Sequence, residues 1–252
     1  MTSASRNPAT VDEIVATLKK TSIPTIIVEG KEDMIVYRRI EDRLSHLEVD
    51  FLAVGGRDKV LDIFARRSEI PKSVKVAFVA DQDVWVMKEE IPDLFRDPLL
   101  IFTSGYSIEN DMYVDGALWE LLYGNECDEY SQEREAFIEW YALALSRHIV
   151  DMNHTISLHP DHVLKQAQRP ALLALLPNET YPTALQERIS NDYQRLLRGK
   201  SLLKLLVRQL SHKDRDPRHS TRSLLDHAAV RFGPNLRAIM ERIEMLFPSV
   251  PL

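Results

Sequence analysis

Cysteine is nearly missing from this chain: Cys127 stands alone in 252 residues, so no internal disulfide can form and a reducing cytoplasm is the natural home. Long apolar runs are missing too. None approaches the roughly 18 residues needed to span a bilayer, and the start, Met1-Thr2-Ser3-Ala4-Ser5-Arg6, has no apolar core of a secretory signal. Glycine is scarce at 8 residues, and there is neither low-complexity sequence nor a fixed-period repeat. What remains, 44% hydrophobic and 28% charged residues, is the composition of a folded protein long enough to bury a sizeable core. A formal net charge of -6 argues against wholesale nucleic-acid binding, but the charge is uneven. Residues 188–222 hold ten Lys or Arg against three Asp, so this stretch is near +7 and the rest near -13.

The first half alternates strand and helix signals. Thr10 with Glu13 forms a capping-box pattern ahead of an N-terminal helix over Val11 to Leu18. Pro24 to Val28 reads as a strand, and Lys31 to Leu47 as a helix with Ile35, Val36, Ile40, Leu44 and Leu47 on its apolar face. Val49 to Val54 is a second strand, ending at Gly55-Gly56, and Asp58 can start the next helix. Val74 to Ala80 and Leu99 to Thr103 are further strands. This alternation predicts an α/β parallel sheet flanked by helices. Beyond about residue 110 helical periodicity takes over, in segments near 112–123, 131–150, 161–176, 183–211 and 220–247. The expected organisation is an N-terminal helix over 1–23, an α/β domain over 24–115 and a mostly helical extension over 116–252.

Carboxylates stand where two of the strands end. Glu29 closes the first, Gly30 lets the backbone turn, and Asp33 then falls in the first helical turn facing the same crevice. Asp81 and Asp83 follow the most apolar strand, and continued strand alternation would put both on one side. Open parallel sheets bind ligands beyond the carboxyl ends of their strands. Clustered acids there repel unless a cation neutralises them, so a divalent metal is expected, with Mg²⁺ the default and Mn²⁺ able to substitute. Taken singly, an Asp-x-Asp is as readily a solvated loop or a helix cap.

The order of a strand ending in Val28-Glu29-Gly30, an acid four residues after the Glu, a second strand ending in Gly, and a strand ending in Asp81-Gln82-Asp83 resembles the toprim domain, a Rossmann-like fold. That domain is shared by topoisomerases, bacterial primases and overcoming-lysogenization-defect nucleases. The segment Phe102 to Asn110 and a helical tail containing Arg198-Gly199-Lys200-Ser201 are similar to stand-alone toprim-like effector nucleases of bacterial anti-phage defence, such as the nuclease component of the PARIS system. The resemblance covers residues 24–115 well and the tail loosely. It implies Mg²⁺-dependent cleavage of DNA or RNA, tRNA included. Glu29 is then general acid, base or metal ligand, Asp81 and Asp83 the metal pair, and Asp33 and Glu109 further metal acids. Glu109 can equally cap the helix starting near Asn110. A homodimer and a regulatory ATPase from the same operon are implied as partners. No primase zinc motif or topoisomerase cleavage domain accompanies the acids, which leaves hydrolysis.

Lys200, Lys204 and Arg208 repeat every four residues and share a helix face, either a ridge for phosphates or a solvated amphipathic surface. Lys200 is also a candidate for stabilising a transition-state anion. Gly199-Lys200-Ser201 imitates a P-loop end, but Gln194 stands where its first Gly is required. His154, His159 and His162 lack zinc-site spacing, and Tyr106, Tyr113 and Trp119 are expected in apolar packing. Two other readings stay open. Asp81 could be the nucleophile of a haloacid-dehalogenase-like phosphotransferase, although its strand is not the first. The chain could also be a non-catalytic toprim-like scaffold for nucleic acid or an ATPase.

Overall fold

The structure is a computed structural model that describes residues 9–88 and 92–247; residues 1–8, on which the absence of a leader was read, lie outside the described residues. The described residues form two compact units, one drawn from those up to 108 together with 229–247 and the other from 109–228.

The first unit is built on four parallel strands: β1 (Thr25–Val28), β2 (Asp50–Ala53), β3 (Val76–Ala80) and β4 (Leu100–Phe102), in the order β2-β1-β3-β4. The α/β expectation therefore holds. β1 and β3 are buried along their whole length, which is why both read as unbroken apolar runs, whereas β2 lies at the edge and starts on the exposed Asp50. The register sets Ile27 opposite Phe78 and Ala80 opposite Phe102. One face of the sheet, carrying Ile27, Phe78, Ala80 and Leu100, packs on α1 (Val11–Leu18) and α3 (Arg57–Ala65) through Ile14, Val15, Leu18, Val60, Ile63 and Phe64. Fourteen such buried side chains form this cluster, and at about 1.5–3 kcal/mol each they dominate the stability of the unit.

α2 is shorter than its sequence pattern, spanning Met34–Arg43 before a 3-10 turn at Ser45–Leu47. Ile35 is only half-buried, and Tyr37 takes the core position instead, stacking on Phe51 of β2 at 5.5 Å. The Thr10 capping box is present, with Glu13 N–H donating to Thr10 Oγ1 and Thr10 N–H to Glu13 Oε2.

The second unit is helical. α4 (Ile108–Asp115) leads into it, followed by α5 (Asn125–Val150), α6 (Pro160–Val163), α7 (Arg169–Leu172), α8 (Thr183–Asn191), α9 (Tyr193–Leu196), α10 (Gly199–Leu210) and α11 (Thr221–Val230). The expected helices at 161–176 and 183–211 are thus broken into pieces; in the first, Pro170 lacks the N–H that a continuous helix needs, and in the second the chain leaves helical geometry at Asp192 (φ -133°) and Leu197 (ψ 142°). α10 is central, with Leu202, Leu203, Leu205, Leu206 and Leu210 fully buried, and it packs on α5 and α6. α12 (Pro234–Leu246) belongs with the first unit, where it packs on β4. No described helix is long and apolar enough to cross a membrane.

Candidate active site

The strand order reverses direction at β1 and β3. From β1 the chain moves outward to β2, then returns past β1 to β3 and continues to β4. Adjacent strands whose connections leave in opposite directions open a crevice at their carboxyl ends. Glu29 follows β1 directly and Asp81 follows β3 directly, so both stand at this crevice.

Four loops build its floor. Glu29 Oε1 accepts the backbone N–H of Asp81 at 2.7 Å, linking the two central strand ends. The Glu29 carbonyl accepts the N–H groups of Gly55 and Gly56 at 2.7 and 3.0 Å. That turn needs glycine, because φ is 99° at Gly55 and 135° at Gly56, a region that side chains avoid. Asp33 precedes α2 without capping its amides; its Oδ2 accepts Gly30 N–H at 3.1 Å, closing the turn after Glu29. A Cβ on Gly30 would lie 2.5 Å from that oxygen, so any larger residue here must displace the Asp33 carboxylate.

Asp81 and Asp83 do not share a side by strand alternation, as their spacing suggested. β3 stops at Ala80, and Asp83 opens a 3-10 turn (Asp83–Met87) with φ +49°. The left-handed conformation costs a non-glycine residue roughly 1 kcal/mol or more, Asp less than most. The loop after β4 holds it in place: Asp83 N–H donates to Tyr106 O at 2.7 Å, and Gln82 Nε2 donates to Thr103 O at 2.7 Å and Ser104 O at 3.2 Å. Asp81 Oδ1 accepts the N–H of Ile108, the first residue of α4, at 2.9 Å.

The electrostatic result is concentrated on Glu29. Burial pushes its pKa up from 4.5 to about 7; the Asp81 N–H bond opposes the rise, the negative charge of Asp83 adds to it, Arg57 lowers it and Asp33 raises it. Near neutral pH this side chain is poised to take up or release a proton.

Sequence reasoning passed over Arg57. Its Nε donates to Asp81 O at 2.8 Å, stands 3.7 Å from Asp83 Oδ2, and its guanidinium lies 4.0 Å over the ring of Trp85. The sequence offered only an Arg directly after the Gly55-Gly56 turn; its partners come from the loop after β3, 24 to 28 residues on.

The other predicted residues lie in the second unit. Glu109 is buried in the first turn of α4. Asn110 Nδ2 donates to the carbonyls of Gln194 and Leu197, tying the turn before α10 to α4. Lys200 is exposed in the first turn of α10 and Lys204 half-buried. Arg208 makes a two-pronged bond to Glu133, at 2.8 and 2.6 Å, and also pairs with Asp161. The three-residue ridge is therefore one exposed lysine, one partly covered lysine and an arginine held by two acids. Tyr106 and Tyr113 are buried, and Tyr113 packs on Trp119 at 5.6 Å and meets the Tyr130 hydroxyl at 3.1 Å, as core residues do.

Among the described residues no three His, Cys, Asp or Glu side chains are grouped so as to hold a metal ion. The donors at the crevice are carboxylate oxygens, the chemistry that a hard divalent cation takes, and the negative charge of Asp83 and Asp33 adds to the rise that burial imposes on Glu29. In kind they fit Mg²⁺; the five acids expected to surround it are not drawn into one shell. The chain matches no protein-family model and no curated protein.

Proposed function

We propose that this chain is a divalent-metal-dependent nuclease of the toprim kind, hydrolysing phosphodiester bonds from the crevice between β1 and β3. One observation carries the reading: the half-buried Glu29, fixed by the Asp81 N–H at 2.7 Å, has its pKa pushed to about 7 beside Asp83. A carboxyl group kept half-protonated at neutral pH in a crevice is a candidate proton carrier rather than a structural ion. Glu29 moves the proton, and Asp83 with Asp81 in the same turn would hold the cation, whose contribution is Lewis-acid polarisation of a phosphoryl oxygen. The backbone bond from Asp81 fixes the direction of the Glu29 carboxyl group and the Gly55-Gly56 turn fixes its main chain, so the group is oriented before substrate arrives.

The sequence of the Phe102–Asn110 segment supports a finer reading, a cytoplasmic effector of bacterial anti-phage defence restrained by an ATPase partner. The test is to express wild type and Glu29→Ala with their neighbouring genes, challenge with phage, and sequence all DNA and RNA ends. New ends that need Glu29 are the expected result and identify the nucleic acid. Protection that persists without Glu29 and without new ends would replace the nuclease by a scaffold.

A further inference from the structure

Arg57 touches the acid-bearing turn at three alternate residues: the Asp81 carbonyl, the Asp83 carboxylate and the face of Trp85. These contacts differ in kind. The bond to Asp81 O, at 2.8 Å, has full hydrogen-bond geometry, and the Trp85 stack at 4.0 Å covers the guanidinium, whose side chain is only 14% exposed. The approach to Asp83 Oδ2 is 3.7 Å, an ion pair too long for a hydrogen bond. Arg57 Nη2 is buried without a hydrogen-bond acceptor among the described residues. A guanidinium placed only to form a salt bridge would spend its donors on the carboxylate, as Arg208 and Arg147 do with Glu133 and Glu179. Here the tight contacts of Arg57 go to the frame of the turn, and what Arg57 itself gives the Asp83 carboxylate is charge without a hydrogen bond.

We propose that Arg57 is a positioning residue that clamps the Asp81–Trp85 turn through Asp81 O and Trp85, and that it is the exchangeable counter-ion of Asp83, yielding that carboxylate to a divalent cation. The inference rests on the metal-dependent reading above. It explains how Asp83 is kept at φ +49° beside another acid before any metal arrives. Because the clamp does not use the carboxylate, exchange leaves the turn in place.

The test uses metal-free full-length protein, Mn²⁺ titrated by calorimetry, and fluorine NMR of protein labelled with 5-fluorotryptophan, the Trp85 resonance assigned with Trp85→Phe. Arg57→Gln removes the competing charge and should bind Mn²⁺ about fivefold more tightly or better. Arg57→Lys keeps the charge and should bind it as wild type does, yet the Trp85 resonance should shift in both variants because the stack is lost. Cleavage by Arg57→Lys should fall in kcat by about tenfold with KM changed less than about threefold, the mark of a group that positions others. Folded Arg57→Gln with unchanged Mn²⁺ affinity overturns the exchange, and an unmoved Trp85 resonance overturns the clamp. Wild type that binds no Mn²⁺ contradicts the metal reading and the exchange with it, while the Trp85 resonance still decides the clamp.

Discussion

Two groups of acids in this molecule are treated in opposite ways. In the helical unit, Glu133 is bonded by Arg208 and Gln209, Glu126 by Arg215, and Glu179 by both prongs of Arg147, whose bonds pull the Glu179 pKa down to about 2. At the ends of β1 and β3 the same residue types face one another instead. Glu29 is pushed up to about 7 by burial with Asp83 adding to the rise, and the nearby cation, Arg57, sits 3.7 Å from Asp83. Sequence composition does not distinguish the two groups, since both are Glu and Asp within reach of Arg. The difference lies in what each arrangement does to a proton: the first makes the carboxylate permanent, and the second makes the charge conditional. Acids held at a cost, in a strained turn at a topological switch point, are the physical ground for the site proposed above.

The largest expected effect is on chemistry. Asp83→Asn keeps the shape of the turn but removes the charge, and cleavage measured as kcat/KM should fall by about 10³-fold; an active Asn variant would dissolve the contrast. Next is Arg215→Ala in the paired group. Arg215 is buried, bonded to Glu126, Leu121 O and Pro217 O, and its loss strands a carboxylate and two carbonyls, so urea unfolding should show a cost of about 3–4 kcal/mol. A cost under about 1 kcal/mol would mean that the pairing is decoration.

The conditional group has the reverse sign. Below pH 4.5 Glu29 is protonated both folded and unfolded and costs nothing; between 4.5 and about 7 the folded chain holds a proton that the unfolded chain releases, so stability falls as pH rises, and above 7 the penalty is complete. Glu29→Gln lacks that penalty and keeps an oxygen to accept the Asp81 N–H. In metal-free buffer it should match wild type at pH 4 and exceed it at pH 8 by on the order of 3 kcal/mol. A variant less stable than wild type at pH 8 would show that Glu29 is paired like Glu179. The smallest effect is local. Gly30→Ala should displace the Asp33 carboxylate and cost about 1 kcal/mol in thermal unfolding, and Asp33→Ala in that background should add almost nothing; full additivity would break the link between the two.

The sheet was legible because β1 and β3 are buried on both faces and so carry unbroken apolar runs, and because Glu29 and Asp81 directly follow them. Gly55-Gly56 was readable as a turn, yet its task, donating two N–H groups to the Glu29 carbonyl, depends on β2 lying beside β1, a long-range fact that no local pattern carries. The same holds for Arg57, whose partners are 24 to 28 residues away in sequence. The geometry of Asp83 was misread because alternation was extended past the last strand residue; the bonds from the loop after β4 impose a left-handed turn instead. Arg208 read as a free cation because Glu133, its partner, lies 75 residues earlier.

The most direct measurement compares Glu29→Gln with Glu133→Gln, one acid from each group, in both nucleic-acid cleavage with Mn²⁺ and melting temperature at pH 8. The account predicts that Glu29→Gln abolishes cleavage while its melting temperature is unchanged or higher, and that Glu133→Gln melts several degrees lower while its cleavage persists. Cleavage that survives in Glu29→Gln, or that is lost equally in both, would contradict it.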